Sequence, residues 1–263
     1  MSILWGLMKE HGASVDEAEL RQLSACTQRY ATGDSAVFVD GCVGMGLQPY
    51  LSHARSVTEA RPFIDAYGNV LCFDGRLDNF QELVELLDCH DAKPSDSRIV
   101  LAAFQRWGEE CFARLTGDWA LSLWCKREQK LILARDHAGT RSLYFSRQGH
   151  RMQWATYLDT FMATGATLPL SEDYAAAYLS CSLTRDLTPY EDIRSVLPGH
   201  YLVVRDRIVS QQAHWSPLIK TSLRYKTDAE YDEHFLAAFQ QSITRRTGSG
   251  APILAQLSGG MDS

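Results

Sequence analysis

The sequence lacks the features that would place the chain in a membrane or on a nucleic acid. None of its apolar runs approaches the roughly 18 residues that a membrane-spanning helix needs. The first residues also lack the basic and long apolar regions of a signal peptide. The basic residues are scattered and the net charge is −6, which predicts no nucleic-acid partner and no membrane partner.

The sequence also lacks a recognisable metal-binding or disulfide pattern. Its seven cysteines are odd in number and widely spaced, and none forms a CxxC pair. Cys72 and Cys125 lie beside apolar runs. The pattern predicts no metal site, and it indicates idle thiols in a reducing cytoplasm.

What is present is enough apolar sequence for a large core. The 263 residues are 45% hydrophobic, which suits one large domain or one domain plus part of another. The apolar runs 119–124 and 131–134 flank a charged stretch and predict a hairpin. Helical spacing of apolar residues recurs in 79–87 and 96–107. Strands and helices in blocks, with hairpins, indicate an α+β fold of antiparallel sheets layered with helices.

Two smaller patterns make sharper predictions. Ser14 followed by Glu17 is a capping-box pattern that predicts a helix reaching about Tyr30. Trp119 and Trp124 have odd spacing, so they cannot share a face of one strand. We expect one of them to pack inward and the other to lie at an interface.

The composition changes after Trp215. Residues 216–227 are polar and predict a linker, and a second capping-box pattern over 227–230 opens a helix with an apolar stripe. Residues 251–257 then predict a buried parallel strand. The predicted organisation is a first domain over 1–215, a linker over 216–227 and the start of a second, truncated domain over 228–263.

The strongest single motif is Ser258-Gly259-Gly260-Met261-Asp262-Ser263, directly after that predicted strand. Small residues at a strand end leave backbone N–H groups free to converge on one anion, and glycines let it approach closely. A bare glycine turn is the alternative for a shorter match. The six residues resemble the PP-loop of the ATP pyrophosphatases. The resemblance implies that the ATP pyrophosphate is bound by Ser258, Gly259, Gly260, Asp262 and Ser263.

Three further motifs carry a resemblance along most of the chain. Residues 73–79 read Phe-Asp-Gly-Arg-Leu-Asp-Asn, residues 133–144 contain Leu-Ala-Arg-Asp before Gly139, and residues 193–201 end in Leu-Pro-Gly-His-Tyr. With the PP-loop, they resemble the glutamine-hydrolysing asparagine synthetase family, which has β-lactam synthetases and lasso-peptide cyclases as relatives. The resemblance implies an N-terminal-nucleophile hydrolase-type αββα sandwich, which is a type-2 glutamine amidotransferase domain. The truncated start of an α/β PP-loop domain is expected to follow it.

The same resemblance implies an amide-forming activity for the full-length protein. Such enzymes adenylate a carboxylate with ATP, and a nitrogen nucleophile then displaces AMP. ATP and Mg²⁺ are the expected cofactors, and the expected partner is a small-molecule or peptide carboxylate. Glutamine is a partner only if the first domain hydrolyses it, and a homodimer is left open.

The chain departs from the family at three positions of the glutaminase site. Ser2 stands where the family has its cysteine nucleophile, and a hydroxyl is a far weaker nucleophile than a partly ionised thiol. Asp74 replaces the asparagine that forms the oxyanion hole with Gly75, and an ionised carboxylate has no proton to donate. Pro49 falls where the family has an arginine that binds the glutamine carboxylate.

Other candidate residues have both a functional and a structural interpretation. Asp96 matches the acidic residue that binds the glutamine amine, and it could equally be the N-cap of a helix before Ile99. Arg135 and Asp136 are more simply interpreted as a structural ion pair at a strand end than as catalytic residues. His200 is interpreted as a structural histidine beside a turn.

Three functional hypotheses follow. The first is an ATP-dependent amide ligase with an inactive glutaminase domain, whose amine comes from the substrate as in lasso-peptide cyclases. The second is a working asparagine synthetase with Ser2 as nucleophile. The third is a non-catalytic fragment or scaffold.

The PP-loop generates a first prediction. We expect the isolated 263-residue chain to bind ATP negligibly, because no helix follows the motif to complete the anion site. Isothermal titration calorimetry with ATP and Mg²⁺ checks this. Saturable binding at micromolar affinity would contradict it.

Overall fold

The structure is a computed structural model in which two compact units can be distinguished. It describes residues 1–10, 12–30, 33–51, 53–57, 62–90, 95–163, 165, 167–205, 208–218, 221–247, 252–255 and 258–260. Contacts between Cα atoms divide the chain into Met1–Ser216 and Pro217–Ser263.

The strands and helices are numbered in chain order. The strands are β1 (Ile3–Lys9), β2 (Ala36–Asp40), β3 (Val43–Gln48), β4 (Phe63–Ile64), β5 (Val70–Leu77), β6 (Gly117–Cys125), β7 (Lys130–Arg135), β8 (Tyr144–Gln148), β9 (Arg151–Ala155), β10 (Ile193–Ser195), β11 (His200–Arg205) and β12 (Ile208–Ala213). The α-helices are α1 (Glu17–Ala25), α2 (Ala54–Val57), α3 (Phe80–Leu86), α4 (Asp96–Trp107), α5 (Asp159–Met162), α6 (Glu172–Leu179) and α7 (Asp228–Thr247). Short 3₁₀ helices cover Gln28–Tyr30 and Gly108–Arg114.

The first unit contains two six-stranded sheets whose neighbouring strands are antiparallel. The first has the order β10-β8-β9-β1-β3-β2 and the second β12-β11-β7-β6-β5-β4. The predicted hairpin is confirmed as β6 and β7, with Ala120 opposite Arg135 and Cys125 opposite Lys130.

Three apolar layers hold the two sheets and their helices together. Between the sheets lie buried side chains from both, among them Leu4, Met45, Val70, Trp124 and Leu133. Helices α1 and α5 cover the outer face of the first sheet, and helices α3 and α4 cover that of the second. The order helix, sheet, sheet, helix is the αββα sandwich that the resemblance implied.

Both tryptophans of β6 are buried, which overturns one part of the prediction. Trp119 belongs to the layer under α4, and Trp124 belongs to the layer between the sheets. They lie on opposite faces, as their spacing predicts. Neither marks an interface, because helices cover one face of the second sheet and the first sheet covers the other.

The first helix begins later and ends earlier than predicted. Asp16, not Ser14, is the N-cap: its Oδ1 accepts from the Ala18 N–H at 2.9 Å, and Glu19 Oε2 accepts from the Asp16 N–H at 3.1 Å. Ser14 cannot cap the helix because the next residue, Val15, is buried and bonded through its N–H to Gly41 O at 2.8 Å. The helix ends at Ala25, and a 3₁₀ turn continues to Tyr30.

The second unit contains the predicted helix, whereas the described residues of the predicted strand, 252–255, are not in a strand. In α7 the cap is made by Glu230 Oε2, which accepts from the N–H groups of Lys226 and Thr227 at 2.8 and 3.0 Å. Residues 252–255 form no strand, and Leu254 is 96% exposed. A parallel strand needs neighbouring strands to bond its backbone groups, and the described part of this unit contains none.

None of the helices in the described ranges is long and apolar enough to cross a membrane.

The packing of β1 on β3 generates a second prediction. Gly46 faces Trp5 across the two strands, and a Cβ at Gly46 would lie 2.3 Å from two atoms of the indole. Trp5 is fully buried and donates its Nε1–H to Leu20 O at 3.0 Å. We expect Gly46→Ala to lower the free energy of unfolding by about 1–3 kcal/mol or more in urea titrations.

Gly259→Ala is the control, since nothing lies within 4 Å of a Cβ at that position. An unchanged urea midpoint for Gly46→Ala would show that the indole can shift without cost.

Candidate functional site

Ser2 and Asp74 meet where the two sheets face each other. Ser2 directly precedes β1 in the first sheet, and Asp74 lies within β5 of the second. The Ser2 backbone N–H donates to Asp74 Oδ1 at 2.7 Å, and Ser2 Oγ accepts from the Tyr50 N–H at 3.0 Å. The fold thus brings together two predicted site residues that lie 72 positions apart.

Asp74 is a buried carboxyl with one satisfied oxygen. It is 2% exposed, and its Oδ2 has no hydrogen-bond partner among the described residues. Burial raises the pKa of Asp74 to about 6, although the Arg141 guanidinium, the Ser2 N–H and the N-terminal amine oppose that rise. Asp74 therefore changes charge near pH 6, and it can only accept hydrogen bonds when ionised.

The N-terminal amine of Met1 belongs to the same electrostatic group. Burial lowers the pKa of this amine, the Asp74 carboxyl raises it and the Arg141 guanidinium lowers it again. Arg141 thus influences both Asp74 and the chain terminus. Its Nε is buried and has no hydrogen-bond partner among the described residues. The sequence analysis missed Arg141, although this residue lies within the motif over 133–144 that resembles the asparagine synthetase family.

Gly75 is required by packing, whatever its chemical role. A Cβ at this position would lie 2.3 Å from Asp118 O and 2.6 Å from Trp119 Cβ. The close approach of β5 to β6 therefore admits only glycine here. The Gly75 carbonyl oxygen lies 3.4 Å from His53 Nε2, which connects it to a second cluster.

That second cluster surrounds Asp96, whose interpretation as an N-cap is wrong. Ser95 caps α4, with its Oγ accepting from the Arg98 N–H at 3.3 Å. Asp96 is the first helical residue and is 0% exposed. Its carboxylate accepts from Arg55 Nη2 at 3.1 Å and Nε at 3.2 Å, and from the Leu77 N–H at 3.3 Å.

Arg55 and His53 were missed by the sequence analysis. His53 Nε2 lies 3.4 Å from Asp96 Oδ2, and burial is the main cause that lowers the pKa of His53. Helix α2, which carries Arg55, has only four residues, too few for a helical pattern to be recognised in the sequence. Arg55 is also 41 positions from Asp96, so only the tertiary structure reveals the pair. Pro49, at the family's arginine position, is buried.

Arg135 and Asp136 are structural residues, but they are not an ion pair. Among the described residues, no contact within 4.0 Å joins their charged groups. The Arg135 guanidinium donates to the backbone carbonyl oxygens of Arg141, Gly139 and Val196 and to Ser195 Oγ. The Asp136 carboxylate accepts from the backbone N–H groups of Trp119, Ala138, Gly139 and Thr140. Both side chains therefore hold loop backbone in place.

His200 lies beside a turn, as interpreted from the sequence. Its Nδ1 is 2.8 Å from Pro198 O. Among the described residues, no group of three or more His, Cys, Asp or Glu side chains could hold a metal ion.

The PP-loop residues are only partly described. Ser258, Gly259 and Gly260 are exposed, and the Gly260 N–H donates to Ser258 Oγ at 3.3 Å. Asp262 and Ser263 lie outside the described residues. Because residues 256–257 and 261–263 lie outside the described residues, binding of the ATP pyrophosphate by this motif stays a prediction.

The fold is that of a glutamine amidotransferase domain of the N-terminal-nucleophile type. A solved structure of glutamine phosphoribosylpyrophosphate amidotransferase from Bacillus subtilis superposes with a TM-score of 0.60 at 17% identity, over 82% of this chain and 50% of that one. At this identity the likeness shows the fold alone. The model of the glutamine amidotransferase domain family matches residues 2–215. The chain belongs to that family.

The chain is also similar to curated amidases and asparagine synthetases. Amidase chry2 of Gibberella zeae is 29% identical over 174 residues, covering 64% of this chain and 25% of the amidase. Glutamine-hydrolysing asparagine synthetase 3 of Bacillus subtilis is 23% identical over 206 residues, covering 73% of this chain and 32% of the synthetase. The chain spans only a quarter to a third of the length of these relatives.

The buried Asp74 generates a third prediction, for the chain that retains Met1. The folded-state pKa of about 6 lies above the ordinary value of 3.8, so the folded state binds the proton more tightly than the unfolded state. Stability contributed by the protonated carboxyl is present below pH 4 and lost as the pH rises through 6. We expect the wild type to lose up to about 3 kcal/mol relative to Asp74→Asn between pH 4 and pH 7.

Urea unfolding of both proteins across that pH range measures the difference, with retention of Met1 verified by intact mass. A difference that stays constant with pH would contradict a raised pKa of Asp74.

Proposed function

We propose that the chain is the amidotransferase-like portion of an ATP-dependent amide-forming ligase whose glutaminase reaction has been lost. The amine that attacks the activated carboxylate would then come from the substrate and not from glutamine. The observation that carries the proposal is the bond from the Ser2 N–H to the Asp74 carboxylate, since this carboxylate stands where the reaction needs a donor.

The oxyanion argument is electrostatic. Attack on a glutamine carboxamide places negative charge on the carbonyl oxygen, which needs hydrogen-bond donors around it. Above its pKa, Asp74 has none to offer and repels the developing charge. Losing one such donor lowers the rate by ~100-fold or more, which corresponds to about 3 kcal/mol.

The nucleophile is weakened in a second way by the same carboxylate. Removal of Met1 turns the Ser2 nitrogen into an α-amine, which is the base that must take the hydroxyl proton. A carboxylate at 2.7 Å from that nitrogen favours the protonated ammonium. An ammonium cannot accept a proton, so Ser2 lacks its base as well as its oxyanion partner.

The amide-forming half of the proposal rests on sequence motifs and relatives. The relatives include asparagine synthetases that are named as glutamine-hydrolysing, and the motif over 258–263 resembles a PP-loop. The proposal includes ATP and Mg²⁺ as cofactors and a carboxylate that is activated as an acyl-adenylate. It also includes a small-molecule or peptide substrate, as in lasso-peptide cyclases. All seven cysteines are free thiols, which supports a cytoplasmic location.

Two alternatives remain. A working glutamine-hydrolysing asparagine synthetase with Ser2 as nucleophile is favoured by the names of several relatives. A non-catalytic scaffold is favoured by the exposed stripe of α7, where Phe235 is 68% and Phe239 56% exposed.

Glutamate release from glutamine is the fourth prediction. We expect none above the Ser2→Ala background from the wild type or from Ser2→Cys, at pH 7.5 and with Met1 removal verified by mass. Restoring the thiol is insufficient because Asp74 still supplies no donor. Release by the wild type would contradict the proposal and favour the asparagine synthetase alternative.

The double variant Ser2→Cys, Asp74→Asn separates the causes. Release by this variant alone would locate the defect at the oxyanion hole, whereas its silence would extend the defect to the cluster around Asp96. For the full-length protein, AMP formation from ATP with aspartate and ammonium would favour asparagine synthesis over a substrate-supplied amine.

A further inference from the structure

Asp96 is a fully buried carboxylate whose charge is already balanced within the chain. It is 0% exposed, and both of its oxygens accept from the Arg55 guanidinium at 3.1–3.3 Å. A buried ion is tolerated only when it is paired and hydrogen-bonded. Burial lowers the pKa of the neighbouring His53, and Arg55 supplies the positive charge that touches the carboxylate, at 3.1 Å.

The guanidinium is held by three kinds of groups that recognise cations. Besides the Asp96 carboxylate, Leu77 O accepts from Arg55 Nη2 at 2.9 Å. The ring of Phe80 lies 4.3 Å below the guanidinium carbon, where its negative face attracts positive charge. A carboxylate, a carbonyl oxygen and an aromatic face also suit a primary ammonium, which has three N–H donors.

Arg55 separates this site from solvent. The Arg55 side chain is 29% exposed, whereas those of Asp96 and His53 are 0% and 8% exposed. Among the described residues of this cluster the guanidinium is therefore the group closest to solvent, and we expect a shorter side chain to give solvent access to Asp96.

We propose that Arg55 is an internal ligand of Asp96 that excludes α-amino acids from the domain, and that shortening Arg55 creates a binding site for a small primary ammonium ion. The inference rests on the proposed loss of glutaminase activity and deepens it. A free amino acid would have to pair its ammonium with a carboxylate that the chain's own guanidinium occupies. Arg55 thus determines specificity by taking the place of a ligand.

The experiment compares the thermal unfolding of the wild type with that of Arg55→Lys, Arg55→Gln, Arg55→Ala and the double variant Arg55→Ala, Asp96→Asn. We expect Arg55→Ala and Arg55→Gln to lower Tm by about 5–15 °C, because they leave a buried carboxylate unpaired. Arg55→Lys, which keeps the charge, should lose less.

Methylammonium chloride at millimolar concentration is the probe, with sodium chloride and tetramethylammonium chloride at equal ionic strength as controls. We expect methylammonium to restore at least half of the lost Tm of Arg55→Ala, and the two controls to restore little. The double variant should not respond, because it lacks the carboxylate that binds the cation.

A failure of methylammonium to restore the Tm of Arg55→Ala would overturn the inference. If Arg55→Ala does not fold, equal Tm values for Arg55→Gln and Arg55→Lys would overturn it. Saturable binding of L-glutamine to the unmodified chain in calorimetry would also overturn it. Glutamate release by the wild type would instead contradict the proposed function and leave the methylammonium result on Arg55→Ala interpretable.

Discussion

The face-to-face packing of two antiparallel sheets is the constraint on which the rest of the first unit depends. Each sheet is apolar on both faces, one against the other sheet and one against helices. Because β1 pairs with β3 and β9 inside the first sheet, the chain terminus is brought to the opposing strand β5. The contact between Ser2 and Asp74 follows from this topology.

The site contains two buried carboxyl groups whose oxygens differ in the number of hydrogen bonds that they accept. Asp74 has one oxygen without a partner among the described residues and a pKa of about 6. Both oxygens of Asp96 are bonded by Arg55. Burial is costly for an ion unless a counter-charge touches it. Asp96 is therefore a stable part of the fold, whereas Asp74 remains poised to change its charge.

Membership of the amidotransferase domain family is compatible with the proposed loss of glutaminase chemistry, because different interactions hold the fold and perform the reaction. The backbone contacts of Arg135 and Asp136, and the glycine at position 75, hold the loops and strands together. Hydrolysis depends in addition on a nucleophile, a base and oxyanion donors. Substitutions at Ser2 and Asp74 can remove the nucleophile and the oxyanion donor while the sandwich is retained.

Periodicity and caps are local properties of the chain, and they predicted layered antiparallel sheets and helices, the β6–β7 hairpin and helix α7. The αββα sandwich was predicted from the resemblance to the asparagine synthetase family. The resemblance also predicted Ser2, Asp74, Gly75 and Asp96 as candidate site residues. Only the tertiary structure decided which partners these residues meet: Arg55 carries no local signal and reaches Asp96 across 41 positions. The exact start of α1 was decided in the same way, because the bond from Val15 to Gly41 moves the cap from Ser14 to Asp16. Contacts between distant segments depend on packing, and packing is not a property of any single stretch of sequence.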